Sequence, residues 1–299
     1  MVQWRSTTVN QRVHNFIVWT LKQSPFLGRR NFHRYNSLRR GGQDRVDAES
    51  YFGARFYDCD IQDKISRFIF NYGIWEPNIS DQFEEILKPG DVVVDIGANI
   101  GYYSLLSSAL VEQSGRVVSI EASPTIFRQL SENIAGNDAT NVRAVNVAAS
   151  DKAGKLTLYG GPEANRGATS TLPREGLSPE SEVAAAPLED ILTAEERAAA
   201  TLIKIDVEGA ELPILEHLVD RIELYSSNVK VLVEMTPAWA GPERSEKVFQ
   251  RFLAAGFDAY AIENAYSDEY YFNWKQPAPV TRIWSLPVDQ VDVLFTRRA

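Results

Sequence analysis

The sequence predicts an α/β fold in which a mostly parallel sheet is covered by helices on both faces. Three observations carry this. Apolar runs at residues 91–96, 116–121 and 201–206 are short and nearly continuous, as strands buried on both faces are. Most are followed by segments with helical spacing of apolar residues, so strands and helices alternate. The first strand passes into its helix through a turn bracketed by Gly97 and Gly101, and the second ends on an acid, Glu121.

Residues 1–50 read as a basic, partly amphipathic arm. Val13, Phe16, Ile17 and Leu21 have helical spacing, which predicts a helix over residues 10–22. A basic helix with Trp and Phe either lies on an anionic membrane surface or packs on the acidic body; a partly disordered tail is the third reading. Residues 51–90 read as a helical lead-in. A helix is expected over 60–72, then a break at Gly73-Ile74-Trp75-Glu76-Pro77, then a short helix capped by Ser80 or Asp81.

Residues 91–299 hold the alternating units. Strands are expected at 91–96, 116–121 and 142–147, with helices at 100–112 and 124–136. A short extra strand at 155–159 leads into a Gly-, Pro-, Ser- and Glu-rich loop over 160–182. Strand 201–206, helix 209–219, strand 229–235, helix 242–255 and strand 257–262 follow, and the last strand is at 291–296. An aromatic insertion at 264–286 separates the last two strands. It is either a lid over a substrate or a dimer contact.

Composition excludes several classes. Hydrophobic residues at 44% and charged residues at 24% are ordinary for a globular chain. No apolar run approaches the ~20 residues of a membrane span. The single cysteine, Cys59, forbids an intrachain disulfide and suits a reducing compartment, so a cytoplasmic location is expected, with the arm as a surface membrane contact. Three histidines and one cysteine argue against a zinc site. The net charge is -9, but residues 1–45 carry +8 and the remainder -17. An acidic body argues against nucleic acid as a partner.

The chemistry centres on the glycine turn. A dinucleotide fingerprint would place a glycine where Asn99 stands, to make room for a pyrophosphate. Gly97 and Gly101 preceded by Asp95 suit a nucleoside cofactor without phosphates, and S-adenosylmethionine is one. An acid such as Glu121 can accept both ribose hydroxyls. A second cluster, Lys204-Ile205-Asp206-Val207-Glu208-Gly209-Ala210-Glu211, puts Asp206 at the carboxyl end of a central strand. Glu208 and Glu211 either cap the next helix or face the pocket. Lys204, on the strand face of Asp206, must pair with an acid if buried. Glu234 ends the neighbouring strand. Asp206 and Glu234 side by side could hold a divalent metal, though none is predicted, or one of them could act as a base.

These residues resemble the FkbM-type S-adenosylmethionine-dependent methyltransferases. The resemblance rests on Trp75-Glu76-Pro77, on residues 91–104, on Ile120-Glu121-Ala122-Ser123-Pro124, on residues 146–151 and on residues 204–211, and spans about 55–263. It implies a Rossmann-like class I methyltransferase fold with seven strands, the last antiparallel, and a helical N-terminal extension. It implies methyl transfer to a hydroxyl of a sugar, glycan or small natural product. Carried over by position, Gly97, Ala98, Asn99, Gly101 and Tyr102 would wrap the methionine part, with Asp95 bracing the turn. Glu121 and Ala122 would hold the ribose. Ala149 and Ser150 would lie on the adenine, and Asp151 would bond its amino group. Glu76 would reach the cofactor amino group, and Asp206 would sit beside the methyl. Asp206 is then the first candidate base, with Glu208 and Glu234 next. A small-molecule or carbohydrate acceptor and a homodimer are the partner expectations. The competing readings are an NAD-dependent dehydrogenase and a non-catalytic cofactor-binding protein recruited through its basic arm.

Overall fold

The structure is a computed structural model that describes residues 28–160, 170, 171, 173, 177–274 and 279–298. The helix expected over residues 10–22 lies outside the described residues. Helix α1 (Gly28–Arg40) leads to a hairpin of β1 (Arg45–Glu49) and β2 (Arg55–Asp60), then α2 (Lys64–Tyr72) and α3 (Pro77–Ile86). The first parallel units are β3 (Val92–Ile96), α4 (Tyr102–Val111), β4 (Arg116–Glu121), α5 (Pro124–Gly136) and β5 (Val142–Asn146). A small sheet follows, of β6 (Ala148–Ala149), β7 (Gly154–Gly160) and β8 (Ser178–Ala186), then α6 (Leu188–Ile191) and α7 (Ala194–Ala199). The chain continues through β9 (Ala200–Ile205), α8 (Glu211–Asp220), β10 (Lys230–Met235), α9 (Pro237–Ala240), α10 (Pro242–Ala254) and β11 (Phe257–Ile262). It closes with α11 (Asp268–Asn273), β12 (Val280–Ile283) and β13 (Val291–Arg297).

The main sheet has the order β12-β11-β13-β10-β9-β3-β4-β5. Strands β10, β9, β3, β4 and β5 are parallel, and β13 runs antiparallel between β10 and β11. This is the arrangement that the resemblance implies, with one strand more than the expected seven. The extra strand, β12, pairs antiparallel with the outer side of β11. It comes from the aromatic insertion, and its residues are mostly exposed, so they carry no apolar run to mark a strand. Alternate strand residues feed two cores. Val93, Val117, Leu202, Leu232 and Leu294 face the core shared with α2, α3 and α4. Val94, Val118, Ile203, Val231 and Val293 face the core shared with α8 and α10.

Four local expectations need correction. The lead-in is not wholly helical, because β2 lies in it and pairs with β1 from the end of the basic arm. The second lead-in helix does not start at Ser80 or Asp81. Pro77 takes its first position, where a proline has no amide hydrogen to lose. Ser80 is buried and donates to Trp75 O at 2.8 Å, and Asp81 accepts from Trp274 Nε1 at 3.1 Å. The expected loop over 160–182 contains the start of β8, which pairs antiparallel with β7. Its Ser178, Pro179, Glu180 and Glu182 face water while Val183 and Ala185 turn inward, a pattern that reads as loop when only its first half is considered. The fourth is α1, which helical spacing did not mark: Phe32 is its one described apolar residue that is fully buried, and it packs on Tyr72 and Phe272.

Cys59 is buried in β2, and burial pushes its thiol up to about 12. Among the described residues no helix is long and apolar enough to cross a membrane.

Candidate functional site

The carboxyl ends of β3, β4, β9 and β10 open on a cleft of about 280 Å³, at the sheet edge where parallel strands expose their turns to ligands. After β3 the chain turns sharply. Gly97 has φ 80°, and a Cβ placed on it would fall 1.7 Å from the carbonyl oxygen of Asp206. Only glycine allows that approach. Asp206 N in turn donates to Ile96 O at 3.0 Å, so the turns after β3 and β9 are locked together. Asn99 takes a left-handed φ of 52° and donates its backbone N–H to Glu121 Oε2 at 2.9 Å. The other oxygen, Glu121 Oε1, accepts from Ser123 N at 2.8 Å. Burial raises the Glu121 carboxyl to about 7, against the lowering effect of these two bonds. Its wall continues through the apolar residues Ala122, Val147, Ala148, Ala149 and Leu158.

The opposite end is charged and aromatic. Glu76, with a left-handed φ of 42°, is 3% exposed. Its Oε2 accepts from the Tyr103 hydroxyl at 2.7 Å, and its Oε1 accepts from the Tyr266 hydroxyl at 2.6 Å and from Asn264 Nδ2 at 3.1 Å. Asn264 Nδ2 also donates to Asp292 Oδ2 at 3.0 Å, so one amide bridges two buried carboxyls. Burial pushes both Glu76 and Asp292 above the usual carboxylate range. Trp75 stacks on Tyr266 with ring centroids 5.3 Å apart, and the Lys64 ammonium lies 3.4 Å from the same ring's centroid.

Between the two ends stand Lys204 and the acids. Lys204 Nζ donates to Asp206 Oδ2 at 2.9 Å, the pairing its buried strand position required. Burial works against the Lys204 ammonium, but Asp206, Asp95 and Glu76 outweigh it and hold the ammonium above its ordinary range. Glu234 is raised to about 11 by burial and then by Asp206, Asp292, Glu76 and Glu208. Glu208 has a left-handed φ of 55°, and its carbonyl accepts from Ser170 Oγ at 2.9 Å. Glu211 does not face the pocket. Its Oε1 accepts the backbone N–H of Gly209 at 2.8 Å and of Val207 at 3.2 Å, and so holds the turn before α8. Three of the non-glycine left-handed residues, Glu76, Asn99 and Glu208, line this one cleft, which is where strained backbone concentrates in functional sites.

Residues 95–259, just over half of the chain, match the methyltransferase FkbM domain. The chain belongs to the FkbM methyltransferase family. This family member is 29% identical over 159 residues to methyltransferase sdnD of Sordaria araneosa, covering 44% of this chain and 61% of that one. It is 34% identical over 56 residues to arsenite methyltransferase of Halobacterium salinarum, covering 19% of this chain and 14% of that one. Both matches span less than two thirds of the relative's length. Among solved structures it is similar to the methyltransferase FkbM from Methylobacillus flagellatus, with 13% identity, 78% of this chain and 52% of that chain covered, and a TM-score of 0.42.

The cleft of this FkbM-family chain gathers most of the positions read from the sequence. Glu76, Gly97, Ala98, Asn99 and Tyr102 line it, and so do Glu121, Ala122 and Ala149. The three acids considered as bases, Asp206, Glu208 and Glu234, line it too. Four positions stand behind the wall. Asp95 is fully buried, accepts from Ser104 Oγ at 2.6 Å, and sits opposite Lys204 across the β3–β9 pair. Gly101 starts α4 against Leu130. Ser150 bonds back to the β8 edge through its N–H, and its hydroxyl turns to the exposed Asp151. Lys64, Tyr103, Asn264, Tyr266 and Asp292 were not read from the sequence as site residues. Asn264 and Tyr266 lie in the aromatic insertion and Tyr103 in the run 91–104, while Lys64 and Asp292 carried no such signal. Among the described residues no group of three or more His, Cys, Asp or Glu is placed to hold a metal ion.

Proposed function

We propose that this chain is an S-adenosylmethionine-dependent methyltransferase acting on a hydroxyl oxygen of a sugar, glycan or small natural product. The observation that carries the reading is the Glu121 carboxylate. It is buried at the cleft with each oxygen held by one backbone N–H, beside a glycine turn with no room for a Cβ. That leaves lone pairs on both oxygens able to accept from two ribose hydroxyls. The apolar strip from Ala122 to Leu158 suits an adenine face, with Ser150 and Asp151 behind it.

S-adenosylmethionine, when bound, supplies a methyl already activated on a sulfonium. The chain's part is to align the acceptor oxygen and to take its proton. Asp206 is the proposed base, oriented by the Lys204 ammonium at 2.9 Å. Glu234, raised to about 11, keeps its proton at neutral pH and serves as a hydrogen-bond donor to the acceptor rather than as the base. Trp239, exposed and lining the cleft, offers a ring face on which a sugar can stack.

Calorimetric titration with S-adenosylmethionine, S-adenosylhomocysteine and NAD tests the cofactor, with Glu121→Ala as the control. Binding of the first two, weakened about a hundredfold in the variant, is expected for two hydrogen bonds to a charged group. Binding of NAD alone would overturn the reading. For the base, an Asp206→Asn protein that binds cofactor and methylates a hydroxylated acceptor at the full rate would remove Asp206 from that role.

A further inference from the structure

Two cations line the cleft among the described residues, Lys64 and Lys204. Lys204 is taken by Asp206. Lys64 makes no ion pair among the described residues, and its ammonium rests on the face of Tyr266. It opens α2 directly after the cap Asp63, whose Oδ2 accepts from Ser66 N at 2.9 Å. The helix start therefore holds Lys64 at the cleft without neutralising it.

Tyr266 ties this cation to an anion. Its ring carries Lys64, and its hydroxyl donates to Glu76 Oε1 at 2.6 Å. Glu76 is held further by Tyr103 and Asn264. A cation and a carboxylate presented from one tyrosine, half out of water, complement a ligand that carries both charges on neighbouring atoms. An α-amino acid has that form, since its ammonium and carboxylate hang from one carbon. The acids acting on Lys64 are Glu76, Glu208 and Glu234, and Lys204 is already paired with Asp206, so among the described lining residues Lys64 is the cation left to receive a bound carboxylate. The apolar strip beside Glu121 offers the opposite end no such pair.

We infer that Lys64 receives the carboxylate of the cofactor's amino-acid end while Glu76 faces its ammonium. The inference rests on the S-adenosylmethionine reading. It makes Lys64 a specificity-determining residue in the lead-in, well outside the glycine turn.

The test is calorimetric binding of S-adenosylhomocysteine and of its decarboxylated analogue to wild type and to Lys64→Met. Wild type is expected to prefer the carboxylate-bearing ligand by about ten- to a hundredfold, the worth of one charge-assisted hydrogen bond. In Lys64→Met that preference should fall to within about threefold, through weaker binding of S-adenosylhomocysteine alone. Lys64→Arg should restore much of it. Lys64→Gln gives the same comparison should the methionine variant fail to fold. Equal preference in wild type and variant would overturn the inference while leaving the cofactor reading intact. So would a variant with unchanged cofactor binding and a raised KM for an anionic acceptor, which would move Lys64 to the acceptor side. Failure of wild type to bind either ligand would remove the cofactor reading and the inference with it.

Discussion

The two ends of the cleft are built on different principles. The end proposed to hold the nucleoside, around Gly97, Asn99 and Glu121, is made of backbone. Its hydrogen bonds run between two adjacent strands and the turns that follow them, so the sheet holds them in place. The charged end is made of side chains from remote segments. Tyr266 reaches Glu76 across 190 residues, and Asn264 bridges Glu76 to Asp292 across the last turn of the sheet. The first end forms wherever the β3–β4 unit forms. The second forms only when the segment after β11 has docked on the lead-in. Damage to one end should therefore be separable from damage to the other, given a ligand that uses only one of them. Under the proposed reading 5′-methylthioadenosine, which lacks the amino-acid end, is that ligand.

Gly97→Ala is the most severe way to break the nucleoside end. The new Cβ would overlap the backbone of Asp206, and backbone cannot swing aside as a long side chain can. It would also place an alanine at φ 80°. Overpacking and left-handed strain together predict a loss of about 4 kcal/mol in urea denaturation. Binding of 5′-methylthioadenosine and of S-adenosylhomocysteine should fall together. A variant of wild-type stability would show that the turns after β3 and β9 are not in tight contact.

Phe32→Ala attacks the charged end from outside. Phe32 is fully buried, stacked on Tyr72 at 5.0 Å and edge-on to Phe272 at 4.9 Å. Tyr72 packs on Tyr271, whose hydroxyl accepts the backbone N–H of Glu76 at 3.0 Å. Removing the ring should cost about 3 kcal/mol through the cavity it leaves. It should loosen α11 and with it Glu76. S-adenosylhomocysteine is then expected to bind about tenfold more weakly, while 5′-methylthioadenosine binds as before. Equal weakening of both ligands would mean that the two ends are coupled through the core and that the separation drawn here is wrong.

The same contrast explains what could be read from the sequence. Strands β3, β4, β9, β10, β11 and β13 were legible because each places apolar residues in a short run, as burial under helices demands, and β5, half-buried at the sheet edge, because it continues the strand–helix alternation. Gly97, Asn99 and Glu121 were legible because their geometry is local and the residue types it needs are few. Lys64, Asn264 and Asp292 were not, because nothing near them in the chain says that they meet. Their partnership is a product of topology: the strand order brings β13 between β10 and β11, and so carries Asp292 to the edge where Glu234 ends. Glu234 was read as a neighbour of Asp206, which needed only adjacent parallel strands. Its raised pKa needed the whole cluster. Strands β8 and β12 escaped notice for the opposite reason, since strands exposed over much of their length carry too few apolar residues to stand out.

The smallest expected effect sharpens the comparison by titrating one end alone. Glu121 is raised to about 7 by burial, against about 4.3 in an unfolded chain. The folded protein therefore holds this proton where the unfolded chain has lost it. The stabilisation it contributes is complete below about pH 4.3 and is lost as pH rises to about 7. Glu121→Gln should flatten the fall in stability across that window. Glu211, also raised to about 7, is present in both proteins, so the difference between them isolates Glu121. Ligand binding should run the other way. Ribose hydroxyls donate to the ionised carboxylate, so wild-type affinity for 5′-methylthioadenosine should rise about tenfold between roughly pH 6 and 8, and the Gln variant should show no such rise. The variant will start from a weaker baseline, because its NH₂ group must face the N–H of Asn99 or Ser123. Only the slope is diagnostic. Parallel pH profiles would show that Glu121 is already ionised throughout this range, and that the nucleoside end holds its charge by backbone bonds strong enough to overcome burial.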